Sequence, residues 1–348
     1  MDEIARLRTD DAAWDTFVAS AAAPSFLQAT PWAAVKRPNG WHSGRVAAPA
    51  PRGQVGAQIL VRPLGPLPFG FGYAARGPMA PFSLDVEALR AFTEALRADA
   101  SRLGASYVRI DPEIEDPDGT IAAALRSLGW RPAPAVQPTR TRLLDLSLDE
   151  EEIWEGIHRK WRQSIRKGER DGARVVPAGI ERLGEFHRIH VATIQRVGLP
   201  MRSEASFRAL YEAFAAVDRA HLSFSEGPDG VATGTILLLG WGNRVVDLYG
   251  GTTAEGRRLR ANYAIKWAAI RAAKAVGYTI YDLWGLPSDA VSDFKAGWGG
   301  REVDYVGAWD LVVNPLGRFA FETALRGRAA WLRLRRGQGA GGDSMSAT

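Results

Sequence analysis

The residues that could do chemistry in this chain are basic and aromatic rather than thiol or metal-binding. There is no cysteine, which excludes disulfides, thiol catalysis and Cys-ligated zinc. His187 and His190 stand at i, i+3 on a candidate helix. They lack the Glu of an HExxH site and any Cys partner, so no metal is expected. No G-x-S-x-G elbow and no P-loop occurs, which removes the commonest hydrolase and nucleotide classes. What remains is positive charge and flat rings. Twelve tryptophans suggest broad surfaces to bury or to stack on.

The charge is segregated. Residues 157–174 carry +5, residues 257–274 carry +6 and residues 315–336 carry +5, so a net charge of +5 leaves −11 on the rest. Such segregation points to a polyanionic partner or, more plainly, to solvated Arg-rich helix faces. Arg162, Arg166 and Arg170 repeat at i, i+4, i+8 and form one basic stripe beside Trp161 and Ile165. It carries no base code and would hold a nucleic acid by its phosphates.

These groups need elements to position them. With 46% hydrophobic and 24% charged residues, the chain is globular rather than disordered. No apolar run is long enough to cross a membrane, and the start MDEIARLRTDD has no secretory h-region. The patterns predict a short helix at 10–20, strands at 42–48, 54–62 and 69–75, and a long helix at 84–104. A strand at 107–111, a helix at 117–129 and a strand at 140–146 follow. The second half predicts helices at 149–171, 180–197 and 203–218, then strands at 220–226, 231–240 and 244–250. A helix at 257–276, a strand at 279–285, strands within 302–313 and a final helix from 316 complete the chain. The last dozen residues read as a disordered tail.

Two stretches repeat this order. ALRADASRLGASYVRID (95–111) and AIRAAKAVGYTIYDL (269–283) are each a helix, a Gly stop and a strand carrying an Asp. An offset of about 173 residues fits a duplicated domain better than a solenoid. Strands before a long helix, then another strand, give the core order of a GNAT-type acyltransferase. The expected fold is α/β, with two GNAT-like (acyl-CoA N-acyltransferase-type) domains of mixed sheets flanked by helices. Their expected ranges are 1–146 and 147–336, before a tail at 337–348. A conventional CoA loop brings bare backbone to the pyrophosphate. The corresponding loop, TTAEGRRLRANY (252–263), has one glycine, Gly256, and three arginines, Arg257, Arg258 and Arg260. Either that cradle is missing, or these arginines bind phosphates themselves.

An ordered set of stretches goes further: FLQATPWAAVK (26–36), YAARGPM (73–79), YVRIDPE (107–113), KWRQSIRKGERDGARV (160–175), TIQRVG (193–198), VVDLYGGTT (245–253), YDLWGLP (281–287), SDFKAGWGG (292–300) and YVGAWDLVVNP (305–315). In these the chain resembles the FemABX aminoacyltransferases. With no sustained heptad run between them, it resembles the members without a coiled-coil arm. The resemblance implies transfer of an amino acid from aminoacyl-tRNA to the stem peptide of a peptidoglycan precursor, with no cofactor. The acceptor is either UDP-linked or lipid-linked. A cytoplasmic location follows, with peripheral contact at the inner face of the membrane left open.

The resemblance also implies roles. Lys36 and Arg196 contact precursor phosphates. Arg76 and Tyr249 shape the precursor cleft and orient its contents. Asp111 takes or orients a proton of the incoming amine, although an Asp before Pro112 is also a good turn residue. Phe294 stacks on the terminal adenosine of the tRNA, and Lys295 offsets charge on the ester oxygen. Arg162, Arg166 and Arg170 guide the acceptor arm, together with the loop arginines Arg257, Arg258 and Arg260. Two other readings stay open: an acyl-CoA N-acyltransferase, and an inactive module that binds RNA or the precursor.

Overall fold

The computed structural model describes residues 3–197, 201–286 and 289–339. Two small helices, α1 (Glu3–Thr9) and α2 (Asp11–Ala19), open the chain, and Asp10 caps the second through the N–H groups of Ala12 and Ala13. Helix α3 (Thr30–Lys36) carries Pro31 in its first turn, where its fixed φ is suited. Strands β1 (His42–Ala50), β2 (Gly53–Pro63) and β3 (Gly70–Ala74) pair with one another in antiparallel succession. Helix α4 (Val86–Leu103) follows, capped by Asp85 and stopped by Gly104 in the left-handed region at φ 71°. It buries Leu89, Phe92 and Leu96 against the sheet and returns the chain to β4 (Tyr107–Ile110), parallel to β3. Helix α5 (Thr120–Ser127) and β5 (Trp130–Ala133) complete the first run.

The second half repeats the plan. It contains β6 (Arg140–Asp145), α6 (Glu150–Gly156), α7 (Arg159–Arg170), β7 (Arg174–Ala178), α8 (Leu183–Val197) and α9 (Glu204–Ala215). Then come β8 (Ala220–Glu226), β9 (Ala232–Trp241), β10 (Arg244–Thr252), α10 (Ala254–Arg258), α11 (Ala261–Ala275) and β11 (Ile280–Asp282). Helix α12 (Asp289–Ala296), β12 (Arg301–Asp304), β13 (Ala308–Val312) and α13 (Pro315–Gly339) finish the chain. As β3–α4–β4 does in the first half, β10–α11–β11 makes a parallel pair across a long helix. The two sheets run β1-β2-β3-β4-β13-β5 and β12-β6-β11-β10-β9-β8-β7. This is the expected architecture of two GNAT-like mixed sheets.

Several boundaries differ from expectation for local reasons. The helix expected at 149–171 breaks at Ile157 and His158. An Asp149–Glu152 capping box starts α6, and the His158 ring caps α7 while the His158 backbone N–H donates to the Gly297 carbonyl at 2.8 Å. The helix expected at 257–276 divides at Arg260, which is left-handed at φ 58°. The strand expected at 279–285 stops at Asp282, because Trp284 and Gly285 both adopt φ 51°. The strands within 302–313 enter different sheets. β6 pairs in the second sheet and β13 in the first, so the sheets exchange strands rather than divide at residue 146. Of the expected tail, 340–348 lies outside the described residues, and α13 runs to Gly339.

Candidate active site

The domains meet around a cleft of about 440 Å³. Phe26, Trp32, Trp41, Phe71 and Tyr73 come from the first half, and Leu248, Tyr249 and Trp284 from the second. Two cations join them: Lys36 and Arg202. Asp15 accepts from the Thr30 N–H at 2.8 Å and from its hydroxyl, fixing the start of α3 and hence Lys36 at its end. The Lys36 ammonium lies 4.2 Å over the Trp32 ring. Burial, then the charge of Arg202, hold its pKa below the usual lysine value. Among the described residues neither cation forms an ion pair with a carboxylate. The Arg202 guanidinium lies 5.7 Å from the Tyr249 ring, and the His187 ring bonds the Arg202 carbonyl at 3.0 Å. A register shift in β10 between Asp247 and Tyr249 lets consecutive residues, Leu248 and Tyr249, face the same cleft. An aromatic trough holding two cations suits an anion joined to a sugar or peptide.

Asp111 is buried behind this wall. Its Oδ2 accepts from the Tyr73 hydroxyl at 2.5 Å and its Oδ1 from the Arg76 N–H at 2.6 Å. Burial raises its pKa against the pull of Arg76 and these bonds. Asp111 therefore reaches the cleft through Tyr73, whose hydroxyl also accepts from Gln137 Nε2 at 3.2 Å. Arg76 is also interior. It pairs with Glu113 at 3.1 Å, donates to the Pro138 carbonyl at 2.9 Å, and lies between the Trp284 and Tyr305 rings at 5.0 and 5.2 Å. Glu113 also pairs with Arg244, which pairs in turn with Asp282. Arg76 thus joins the domains and is not among the cleft-lining residues.

Lys295 lies on the second domain's side of the same junction. Its ammonium donates to the Trp284 carbonyl and, at 2.5 Å, to the Gly285 carbonyl. Two of its three donors are thereby engaged. Burial and then nearby Lys266 lower its pKa to about 8, opposed by Asp247 and Asp282. Lys266 pairs with Asp247, which also accepts from the Tyr281 hydroxyl at 3.1 Å. Phe294, one residue before, turns the other way. It is half-buried with Trp161, Tyr263 and Trp298, at ring distances of 6.0, 5.6 and 6.2 Å. Gly297 permits this docking, since a Cβ there would lie 2.4 Å from the Trp161 ring.

The basic residues divide. Arg162 is half-buried, Arg170 is exposed, and Arg166 stacks over Trp154 at 5.3 Å. Arg258 pairs with Glu255, Arg257 bonds the Thr253 carbonyl at 3.2 Å, and Arg260 stands at the N-cap position of α11 with its side chain exposed. A Cβ at Gly256 would lie 1.9 Å from the Thr233 carbonyl, so this glycine serves packing. Arg196, expected at the phosphates, ends α8 with an exposed side chain outside the cleft lining, where Arg202 stands instead. His190 bonds the Gly250 carbonyl at 3.0 Å and stacks on Phe186.

Sequence reasoning did not single out Tyr73, Glu113, Arg202, Arg244, Lys266, Asp247, Asp282 or Trp284. Tyr73, Glu113, Asp247, Asp282 and Trp284 lie inside stretches quoted above, so their signal was position within a motif. Arg202 lies just beyond one, and Arg244 just before another.

A model of the FemAB family matches residues 9–124, and one of the Acetyltransferase (GNAT) domain matches residues 157–296. The chain is 23% identical to the Lipid II:glycine glycyltransferase of Staphylococcus aureus (strain USA300), across 86% of this chain and 91% of that protein. Its fold superposes on the crystal structure of FemX with a TM-score of 0.80 at 22% identity, covering 89% of this chain and 98% of that one. A conserved protein of unknown function from Bacteroides thetaiotaomicron shares the fold at a TM-score of 0.56 and 10% identity, covering 86% and 95% of the two chains. Taken with the paired GNAT-like sheets and the cleft between them, these matches make the chain similar in fold to FemX and similar in sequence to proteins of the FemAB family.

Proposed function

We propose that this protein is an aminoacyltransferase. It moves an aminoacyl group from the 3′ end of a charged tRNA to an amine on the stem peptide of a lipid-linked peptidoglycan precursor. The observation that carries this reading is the similarity to a lipid II:glycine glycyltransferase over nine-tenths of that protein's length. The cleft supports it, because Lys36 and Arg202 suit a diphosphate and the surrounding rings suit the attached sugar and peptide.

The chemistry requires little beyond positioning. The acceptor amine attacks the ester carbonyl, a C–N bond forms, and charge gathers on the former carbonyl oxygen. The C–O bond to the tRNA ribose then breaks. The amine loses a proton, and the ribose oxygen leaves as a hydroxyl after gaining one. Lys295 retains one donor for the developing oxyanion, and Tyr73, backed by Asp111, orients the amine. Phe294 offers the half-buried edge of an aromatic cluster for the terminal base.

The GNAT match over 157–296 favours a second reading, transfer from acyl-CoA. The Gly256 packing counts against a bare-backbone pyrophosphate cradle. The test is incubation with a mixture of charged tRNAs and a lipid-linked muropeptide, read by mass spectrometry. Transfer is expected to be abolished by RNase and not restored by acetyl-CoA. Transfer that survives RNase and follows acetyl-CoA concentration would establish the second reading.

A lipid-linked acceptor also accords with the surface of α13, whose Phe321 ring lies 6.0 Å from the ring of cleft-lining Phe71. Leu316 and Phe319 on α13 are 68% and 69% exposed, and Leu67 in the turn between β2 and β3 is 49% exposed. The α13 sequence continues with Arg326, Arg328, Arg333, Arg335 and Arg336. Apolar residues among arginines fit an anionic bilayer. Flotation with phosphatidylglycerol vesicles, but not with phosphatidylcholine vesicles, is the expected result. Loss of this binding in Phe319→Asp would identify the patch.

A further inference from the structure

We infer that Asp282 is a positioning residue that sets the acceptor-side wall and the Lys295 cradle together, by fixing the backbone of Trp284. This rests on reading the cleft and Lys295 as parts of one site. Trp284 belongs to both: its ring lines the cleft, and its carbonyl accepts from the Lys295 ammonium. The same residue holds φ 51°, a conformation that a bulky L-residue avoids unless its surroundings impose it.

Asp282 supplies that constraint. It is fully buried at the end of β11. Its Oδ1 accepts from the Trp284 N–H at 2.8 Å and from the Thr141 hydroxyl. Its Oδ2 accepts from Arg244, which is held from the other side by Glu113 of the first domain. Thr141 and Arg244, which belong to neither the cleft lining nor the Lys295 cradle, thus fix the carboxylate. It ends the strand, turns the chain left-handed at Trp284, and aims the consecutive Trp284 and Gly285 carbonyls at one ammonium. Gly285 can follow at φ 51° because it has no side chain; a Cβ there would lie 2.9 Å from Pro138. From the first domain, Arg76 stacks on the Trp284 ring at 5.0 Å and holds the ring against the cleft.

Three variants separate backbone from ring. Asp282→Ala removes the acceptor for the Trp284 N–H and is expected to lower kcat by roughly 10²-fold, comparable to losing an oxyanion donor. It should also raise the acceptor KM and leave the tRNA KM nearly unchanged. Asp282→Asn keeps an acceptor oxygen for that N–H and should recover most of the lost kcat. Trp284→Gly deletes the ring but accepts a positive φ without strain, so it should raise the acceptor KM and lower kcat clearly less than Asp282→Ala does.

A readout without substrates accompanies these assays: the rate at which Lys295 is acetylated by acetic anhydride at pH 8, measured by mass spectrometry. Release from its carbonyl cradle in Asp282→Ala should raise that rate severalfold or more, with the circular dichroism spectrum preserved. An unchanged acetylation rate in Asp282→Ala overturns the inference. So does a Trp284→Gly enzyme that loses as much kcat as Asp282→Ala, since the ring and not the backbone would then matter. If Asp282→Ala does not fold, Trp284→Gly and Trp284→Ala decide the question. They differ only by a Cβ at a left-handed position, so faster Lys295 acetylation in the alanine variant supports the inference and equal rates overturn it. A wild-type protein that transfers nothing from any charged tRNA would overturn the functional reading alone, because the acetylation test does not depend on it.

Discussion

The hydroxyl of Tyr73 donates to Oδ2 of Asp111 at 2.5 Å, and this places a ring between the carboxylate and the cleft that Tyr73 lines. A direct general base typically contributes 10²- to 10⁴-fold. A carboxylate that only orients a hydroxyl contributes less, and its effect depends on that hydroxyl.

Asp111→Asn and Tyr73→Phe are therefore expected to lower kcat by similar amounts, roughly tenfold each. The double variant should lose little more than either single one, because contacting residues in one network are not additive. Steady-state kinetics over this double-mutant cycle measures the coupling. Asp111→Asn falling by 10³-fold while Tyr73→Phe stays near normal would make Asp111 the base itself.

The cations of the cleft should act on acceptor binding. Lys36→Met and Arg202→Met are each expected to raise the acceptor KM about ten- to a hundredfold, since a hydrogen bond to a charged group is worth about 1.5–3 kcal/mol. Arg196→Met, exposed at the end of α8, should leave it nearly unchanged. Initial rates against acceptor concentration, at fixed charged tRNA, separate the three. A raised KM in Arg196→Met alone would move the phosphate site out of this cleft.

The contrast between Arg196 and Arg202 shows how far the sequence could be read. The repeated order of strands and helix, with stops at Gly104 and Gly277, made the paired architecture legible, because hydrophobic period and helix caps are local signals. Lys36 and Tyr249, which line the cleft, were legible as motif positions. Arg202 was not, because nothing local distinguishes one exposed arginine from another; its place depends on His187 and on the shift in β10. The exchange of β6 and β13 was hidden for a similar reason, since sheet partners are long-range choices. The motif places Arg76 at the cleft, yet its partner Glu113 lies 37 positions further along the chain and its stacking partner Trp284 lies in the other domain.

The buried network around Glu113 should be the most fragile polar feature. Glu113, Arg76 and Arg244 have side chains at most 4% exposed, and Glu113 pairs with both arginines. Removing one partner leaves charge unpaired in the interior, which typically costs about 3–5 kcal/mol. Glu113→Ala is thus expected to lower the urea midpoint sharply. Arg6→Ala, which breaks an exposed i, i+4 pair with Asp10, should shift it by less than about 0.5 kcal/mol in stability. Equal midpoints for the two variants would show that the network is not holding the domains together.

Lys295 should confer a pH signature. Its pKa is lowered to about 8 by burial and by Lys266. If the ammonium form stabilises the oxyanion, kcat/KM falls as pH rises through about 8, on top of any rising limb from the acceptor amine. Lys295→Arg keeps its charge throughout this range, so that falling limb should vanish even though kcat drops with the changed geometry. Lys295→Met should lose roughly 10²- to 10³-fold in kcat and show no falling limb. The stability effect has the opposite slope. The folded-state pKa lies below the usual lysine value of 10.5, so between about 8 and 10.5 the unfolded chain binds more protons and the wild type gains stability with rising pH. That gain should be absent in Lys295→Met, which urea titrations at pH 7.5 and 9.5 would measure. A falling limb that persists in both variants would assign the titration to another group, such as Lys36, whose pKa is lowered in the same direction by burial and Arg202.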